Sequence, residues 1–205
     1  MSLKIKKGKK LRILAISGSP VNGGNVEVLL EQICKGAASK GAKYSLIHLN
    51  DLEILPCQAC GKSPEPDFCF YTDGMGLVYE KLVDCDILVL GSPIYFDCLS
   101  AQAKLFIDRC NCIRPPIETK EGEFVFKNRF KRKRKGAIVL VGGKKGKFEH
   151  ALSVLRGFFK WTNFRLVDSL IYKHDTWEVG EVKNNKEIMK KAFDLGERLT
   201  QDRAK

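Results

Sequence analysis

Five short stretches rich in apolar residues, each followed by a stretch with helical spacing, constrain the fold of this chain more than any other feature. Residues 11–17 (LRILAIS), 86–91 (DILVLG) and 136–141 (GAIVLV) read as buried strands. Residues 43–49 (KYSLIHL) alternate in part, and 165–172 (RLVDSLIY) form a fifth strand. Residues 25–39 place Val28, Leu29 and Ile33 on one helical face, with Asn25 as the expected N-cap. Further helices are expected over 76–83, 101–110, 148–161 and 185–200. Strands that alternate with helices build a parallel sheet covered on both faces, and right-handed crossovers leave few topologies. The expected fold is α/β and doubly wound, with five parallel strands in the order 2-1-3-4-5. Its ligand lies beyond the carboxyl ends of strands 1, 3 and 4, where the strand order reverses.

At 205 residues the chain is expected to be one domain over 11–205. A basic tail (1–10) precedes it and a basic insertion loop (111–135) interrupts it. The apolar stretch at 11–16 is too short for a signal peptide's core and runs straight into a Ser/Gly loop, so it is read as strand. No apolar run approaches a membrane span. The expected location is the cytoplasm, with no membrane partner.

The net charge of +12 is unevenly spread. Residues 1–12 hold six basic residues and residues 127–135 hold seven, with no acid in either. Without those thirteen, the 36 basic residues fall to 23, against 24 acidic ones. Such runs suit nucleic acid or an anionic substrate. Only Phe130 offers an aromatic ring for stacking in the second run, so a solvated tail and loop, dispensable for folding, is the favoured reading.

Three loops at the strand ends carry the chemistry. The first is Ser17-Gly18-Ser19-Pro20-Val21-Asn22-Gly23-Gly24-Asn25, which opens a helix. The first N–H groups of a helix are unpaired and its dipole favours an anion there. Ser17, Ser19 and Asn25 add side-chain donors. The pattern is neither G-x-G-x-x-G nor a P-loop. After strand 3, taken to end at Gly91, come Ser92-Pro93-Ile94-Tyr95-Phe96. After strand 4 come Gly142-Gly143-Lys144-Lys145. Phosphate donors and aromatic surface at one sheet edge suit a phosphorylated planar cofactor.

These loops, the segment PCQAC with its later Cys69, and AQAKLFIDR occur in an order that resembles the NADPH-dependent FMN reductase and iron–sulfur flavoprotein family, whose fold is flavodoxin-like. The resemblance runs through residues 11–110 and, more weakly, through IVLVGGKKGKFEHALSVL. It implies that Ser17, Ser19, Pro20, Gly24, Asn25 and Val26 hold the FMN phosphate. It places Ser92, Pro93, Ile94, Tyr95 and Phe96 along the isoalloxazine, Gly142 and Gly143 on its other side, and Gln102 and Lys104 beneath it. Two positions depart from the family pattern: Val21 where a basic residue is common, and Val26 where a Ser or Thr is common. Each lost charge-assisted bond is worth ~1.5–3 kcal/mol, so FMN is expected to be held loosely.

The eight cysteines are expected to be thiols rather than a disulfide framework. Cys57, Cys60 and Cys69 resemble the motif that holds a [4Fe-4S] cluster in iron–sulfur flavoproteins, but Ser63 stands where a fourth cysteine is expected. A cluster, a redox dithiol and plain reduced cysteines remain open, with the last favoured.

The resemblance implies an FMN-dependent oxidoreductase that takes hydride from NAD(P)H and passes electrons to an acceptor the sequence does not identify. It also implies a homodimer or a dimer of dimers, with 111–135 as the arm to inspect. The flavin carries the chemistry, so no acid–base residue is required, and His48, His150 and His174 are read as structural or solvent-facing. The alternative is a non-enzymatic, flavodoxin-like electron carrier. Such carriers tend to be acidic, and the basic segments oppose that reading.

Overall fold

The computed structural model describes residues 10–201. The tail expected over 1–10 therefore lies almost wholly outside the described residues. Strands β1 (Arg12–Ser17), β2 (Lys43–His48), β3 (Ile87–Tyr95), β7 (Arg134–Gly143) and β8 (Phe164–His174) form one parallel sheet, ordered β2-β1-β3-β7-β8. Counting only these five, the order is the expected 2-1-3-4-5. Helices α2 (Met75–Asp84), α3 (Ala101–Arg109) and α4 (Glu149–Trp161) cover one face. Helices α1 (Asn25–Ser39) and α5 (Lys186–Gln201) cover the other.

Strand alternation explains the two cores. Leu14, Ile16, Leu88, Leu90, Ile138 and Leu140 point to the α2–α3–α4 side. Ile13, Ala15, Ile87, Val89, Ala137 and Val139 point to the α1–α5 side. A strand buried on both faces needs apolar residues at every position, which is why these runs lack polar alternation. Helices α1 and α5 meet backbone to backbone: a Cβ on Gly196 would stand 1.9 Å from the Ile33 carbonyl oxygen.

Strand β3 does not stop at Gly91. It continues through Tyr95 and folds back on β4 (Cys98–Leu99), pairing Tyr95 with Cys98 and Ile94 with Leu99. The two turn residues, Phe96 (φ 50°) and Asp97 (φ 60°), both lie in the left-handed region. Two-residue hairpins take that geometry because its twist matches the strands, and glycine or asparagine normally supplies it. A bulky Phe there carries local strain of ~1–3 kcal/mol, which concentrates at functional sites.

The basic insertion is also more structured than a loop. It contains a small antiparallel hairpin, β5 (Pro116–Glu118) with β6 (Phe124–Phe126), and its end belongs to the central sheet, because β7 starts at Arg134 rather than Gly136. The run is solvated only in part: Lys127, Lys131, Arg132 and Lys133 are exposed, whereas Arg134 and Lys135 are buried. Arg134 is 4% exposed, bonds the Leu82 and Cys85 carbonyl oxygens, and lies 4.1 Å from the Phe130 ring centroid and 4.3 Å from that of Phe164. Lys135 is buried and donates to the Leu199 carbonyl at 3.0 Å. Arg132 pairs with Asp86 at 2.6 Å. Arg134 and Lys135 close the amino edge of the sheet by satisfying carbonyls at helix ends, so the expectation of a wholly solvated run fails at these two positions.

Candidate functional site

The loop after β1 is held from within. The Ser17 hydroxyl oxygen accepts from the Ser19 N–H (3.3 Å), and the Ser19 oxygen accepts from the Val21 N–H (3.1 Å). Gly24, rather than Asn25, is the N-cap of α1 and offers no side chain. The first-turn N–H groups of α1 therefore face outward without a capping oxygen, which is what an anion needs. Val26 is buried with its side chain against Gly91, where a Cβ would come within 2.7 Å of it. Only its backbone N–H is offered at the loop.

Asn25 is committed elsewhere. Its Oδ1 accepts from the Val182 N–H (3.0 Å), and its Nδ2 donates to Glu181 (3.4 Å). Glu181 also accepts from the Tyr172 hydroxyl at 2.7 Å, and burial together with that bond pushes the Tyr172 pKa up to about 12. Asn25 thus ties the segment after β8 to the first loop. A Cβ at Gly180 would meet the Gly23 carbonyl oxygen at 2.7 Å. Sequence reasoning missed this fourth wall, which carries Trp177 at 96% exposure. The Glu181–Asn25 pair is separated by 156 positions, so no local signal announces it.

Ser92 also turns inward. Its hydroxyl donates to the Pro93 carbonyl (2.8 Å) and accepts from the Ser100 N–H (3.1 Å). Ser100, absent from the sequence-derived site, is the hub. It caps α3 by accepting from the Ala103 N–H (3.2 Å) and donates to the Gly18 carbonyl (2.6 Å). Pro93 and Ile94 are half-buried, while Tyr95 and the fully exposed Phe96 project from the hairpin. Gly142 sits beneath Ile94 and Phe148, and a side chain on Gly143 would meet open space. Asp97 accepts from the Lys147 N–H at 3.0 Å, joining the hairpin to the loop after β7. All three sequence-derived loops therefore meet at one edge. Gln102 bonds Asn50 (2.9 Å) and Lys104 pairs with Asp108 (2.8 Å), so both side chains are engaged.

One acidic group intrudes. The Glu27 carboxylate accepts from the Gly23 N–H at 2.5 Å and lies 3.6 Å from His48 Nε2. It occupies one backbone donor of the anion loop with the chain's own negative charge.

The cysteine segment lies at the far end of α3. It has no regular structure and is anchored by Asp73, which forms a buried two-point ion pair with Arg109 and accepts from the Leu55 and Met75 N–H groups at 3.0 Å each. Burial alone would raise the Asp73 pKa; the Arg109 and amide hydrogen bonds outweigh it, so the carboxyl titrates below the usual aspartate value. Cys57, Cys60, Cys69 and Cys112 line one cavity there. Among the described residues, however, no three His, Cys, Asp or Glu side chains are grouped so as to hold a metal ion. Burial pushes the Cys112 thiol up to about 11, against thiolate formation. All eight cysteines are free.

A doubly wound sheet with an anion-ready loop at its switch point defines a flavodoxin-like architecture, and solved structures agree. A flavone reductase superposes with TM-score 0.69 at 16% identity, covering 92% of this chain and 62% of its own. A flavodoxin from the domain Archaea gives 0.57 at 12% identity, covering 93% and 97%. The chain belongs to the NADPH-dependent FMN reductase family, whose model matches residues 11–177. It is 32% identical over 133 residues to an iron–sulfur flavoprotein of Methanosarcina thermophila, a match that spans 65% of this chain and 64% of that relative. No helix among the described residues is long and apolar enough to cross a membrane.

Proposed function

We propose that this chain is an FMN-dependent NAD(P)H oxidoreductase acting on a small acceptor. The observation that carries the reading is the outward first turn of α1, uncapped at Gly24, at the sheet's switch point. The N–H groups of Asn25, Val26 and Glu27 hold the FMN phosphate, with Ser17, Ser19, Pro20 and Gly24 fixing the loop's shape. The Ile94–Phe96 hairpin and the Gly142–Gly143 turn flank the isoalloxazine, and Ser92 holds the hairpin through Ser100. Bound FMN supplies the hydride-accepting and electron-donating chemistry. The protein's share is to orient the ring and exclude water from one of its faces. Exposed Tyr95, Phe96 and Trp177 around that edge suit a second copy of the chain in a homodimer, with the cytoplasm as the working compartment.

Ser19→Asp tests the reading by setting a carboxylate against the phosphate. FMN affinity, measured by flavin fluorescence quenching, is expected to fall at least tenfold, or ~1.4 kcal/mol, while the melting temperature of the flavin-free protein changes little. Unaltered FMN affinity would remove the phosphate from this loop.

A further inference from the structure

The cavity beside the cysteine segment has a volume of about 310 Å³, at the small end of the range for small-molecule sites. Its walls are flat and apolar: Phe70, Tyr71, Pro115, Phe126 and Trp161. The Phe126 and Trp161 rings lie 5.4 Å apart, and the Arg114 guanidinium sits 5.2 Å over Trp161. Three buried N–H groups on lining residues have no hydrogen-bond partner among the described residues: Arg109 Nε, Arg114 Nε and Trp161 Nε1. All three donate only, and leaving such groups unpaired costs stability. The charge of Arg109 is balanced by Asp73, whereas Arg114 is paired with no carboxylate among the described residues.

Aromatic walls, donors without acceptors and two lining cations without a carboxylate partner among the described residues, Lys62 and Arg114, specify a flat apolar body with an anionic, acceptor-only edge. We propose that this cavity binds a planar aromatic carboxylate, with Arg114 as its charge partner, the Trp161 N–H donating to its carboxylate, and Phe126 and Tyr71 against its ring. The alternative occupant is an iron–sulfur cluster, since four thiols line the same space. The ungrouped sulfurs and the unpartnered donors favour the organic anion. The cavity adjoins the carboxyl end of α3, and the anion loop adjoins its amino end, so the inference stands whether or not FMN binds that loop.

The test is calorimetric titration of the full chain, with FMN at saturating concentration, by 2-naphthoate and by its neutral counterpart 2-naphthamide. One equivalent of 2-naphthoate is expected to bind with a dissociation constant below ~1 mM, and the amide about tenfold more weakly. Arg114→Gln, which keeps bulk over Trp161 but removes the charge, should weaken naphthoate about tenfold and leave naphthamide unaltered. Trp161→Phe should weaken both, through loss of the N–H and of ring area. Melting curves of both variants report whether they fold; should one fail, protection of Cys112 from a thiol reagent by naphthoate in the unaltered chain decides instead. Four results would overturn the proposal: no binding at ~1 mM, equal affinity in Arg114→Gln, release of FMN in step with naphthoate binding, or anaerobic uptake of iron and sulfide that blocks naphthoate.

Discussion

The two ends of α3 hold two unlike loops. At the amino end, Ser100 joins the helix cap, Ser92 of β3 and the Gly18 carbonyl in hydrogen bonds of 2.6–3.4 Å. At the carboxyl end, Arg109 ties together the two ends of the 53–73 segment through Asp73 and the Leu55 carbonyl. The first loop is short and set between a strand and a helix, so many small bonds share its positioning. The second is long and irregular, and its one buried ion pair is joined by Arg129, which donates to the Pro66 and Asp67 carbonyls, and by Phe68 stacked on Tyr79. Removing one of many weak contacts costs the first loop little, whereas removing Arg109 leaves a buried carboxylate without its counter-charge.

That contrast predicts an order of effects. Arg109→Ala leaves Asp73 buried without its counter-charge and should cost ~3–5 kcal/mol in urea unfolding. Ser100→Ala removes a cap and a bond to Gly18, and should cost ~1–2 kcal/mol while also weakening FMN binding. Reversal of these two magnitudes would break the comparison. Acid sharpens it. The folded Asp73 carboxyl titrates below the unfolded value of ~3.9, so its stabilisation is complete above that value and is lost as pH falls through the folded pKa. Below about pH 4, stability should therefore fall less steeply in Asp73→Asn than in the unaltered chain, as read by urea unfolding at each pH. The smallest effect belongs to the anion loop. Glu27→Gln removes the carboxylate bound to the Gly23 N–H and should tighten FMN by roughly two- to fivefold, the ~0.5–1 kcal/mol of a partly exposed charge. Titration of FMN into both proteins measures it.

The buried strands, their order and the three loops at one edge were legible in the chain, because apolar runs and helical spacing are local and the parallel topology follows from them. Ser17, Ser19 and Gly24 could be placed for the same reason: a strand–loop–helix junction puts its own residues at the switch point. The basic run misled, because charge alone does not tell a solvated Arg132 from a buried Arg134. Only the ring faces of Phe130 and Phe164 and the carbonyls at the end of α2 make that burial favourable. Asn25 and Ser92 are residues of the expected types whose side chains were claimed by Val182 and Ser100, partners that spacing cannot reveal.

By itself, the sequence determined the sheet, its helical layers and the position of the loop between β1 and α1, since each depends on patterns within about twenty residues. Tertiary structure decided which polar groups were left over for a ligand. The uncapped first turn of α1 and the unpaired donors of Arg109, Arg114 and Trp161 are among the groups left without a partner in the described residues, and which groups are left depends on contacts between distant segments.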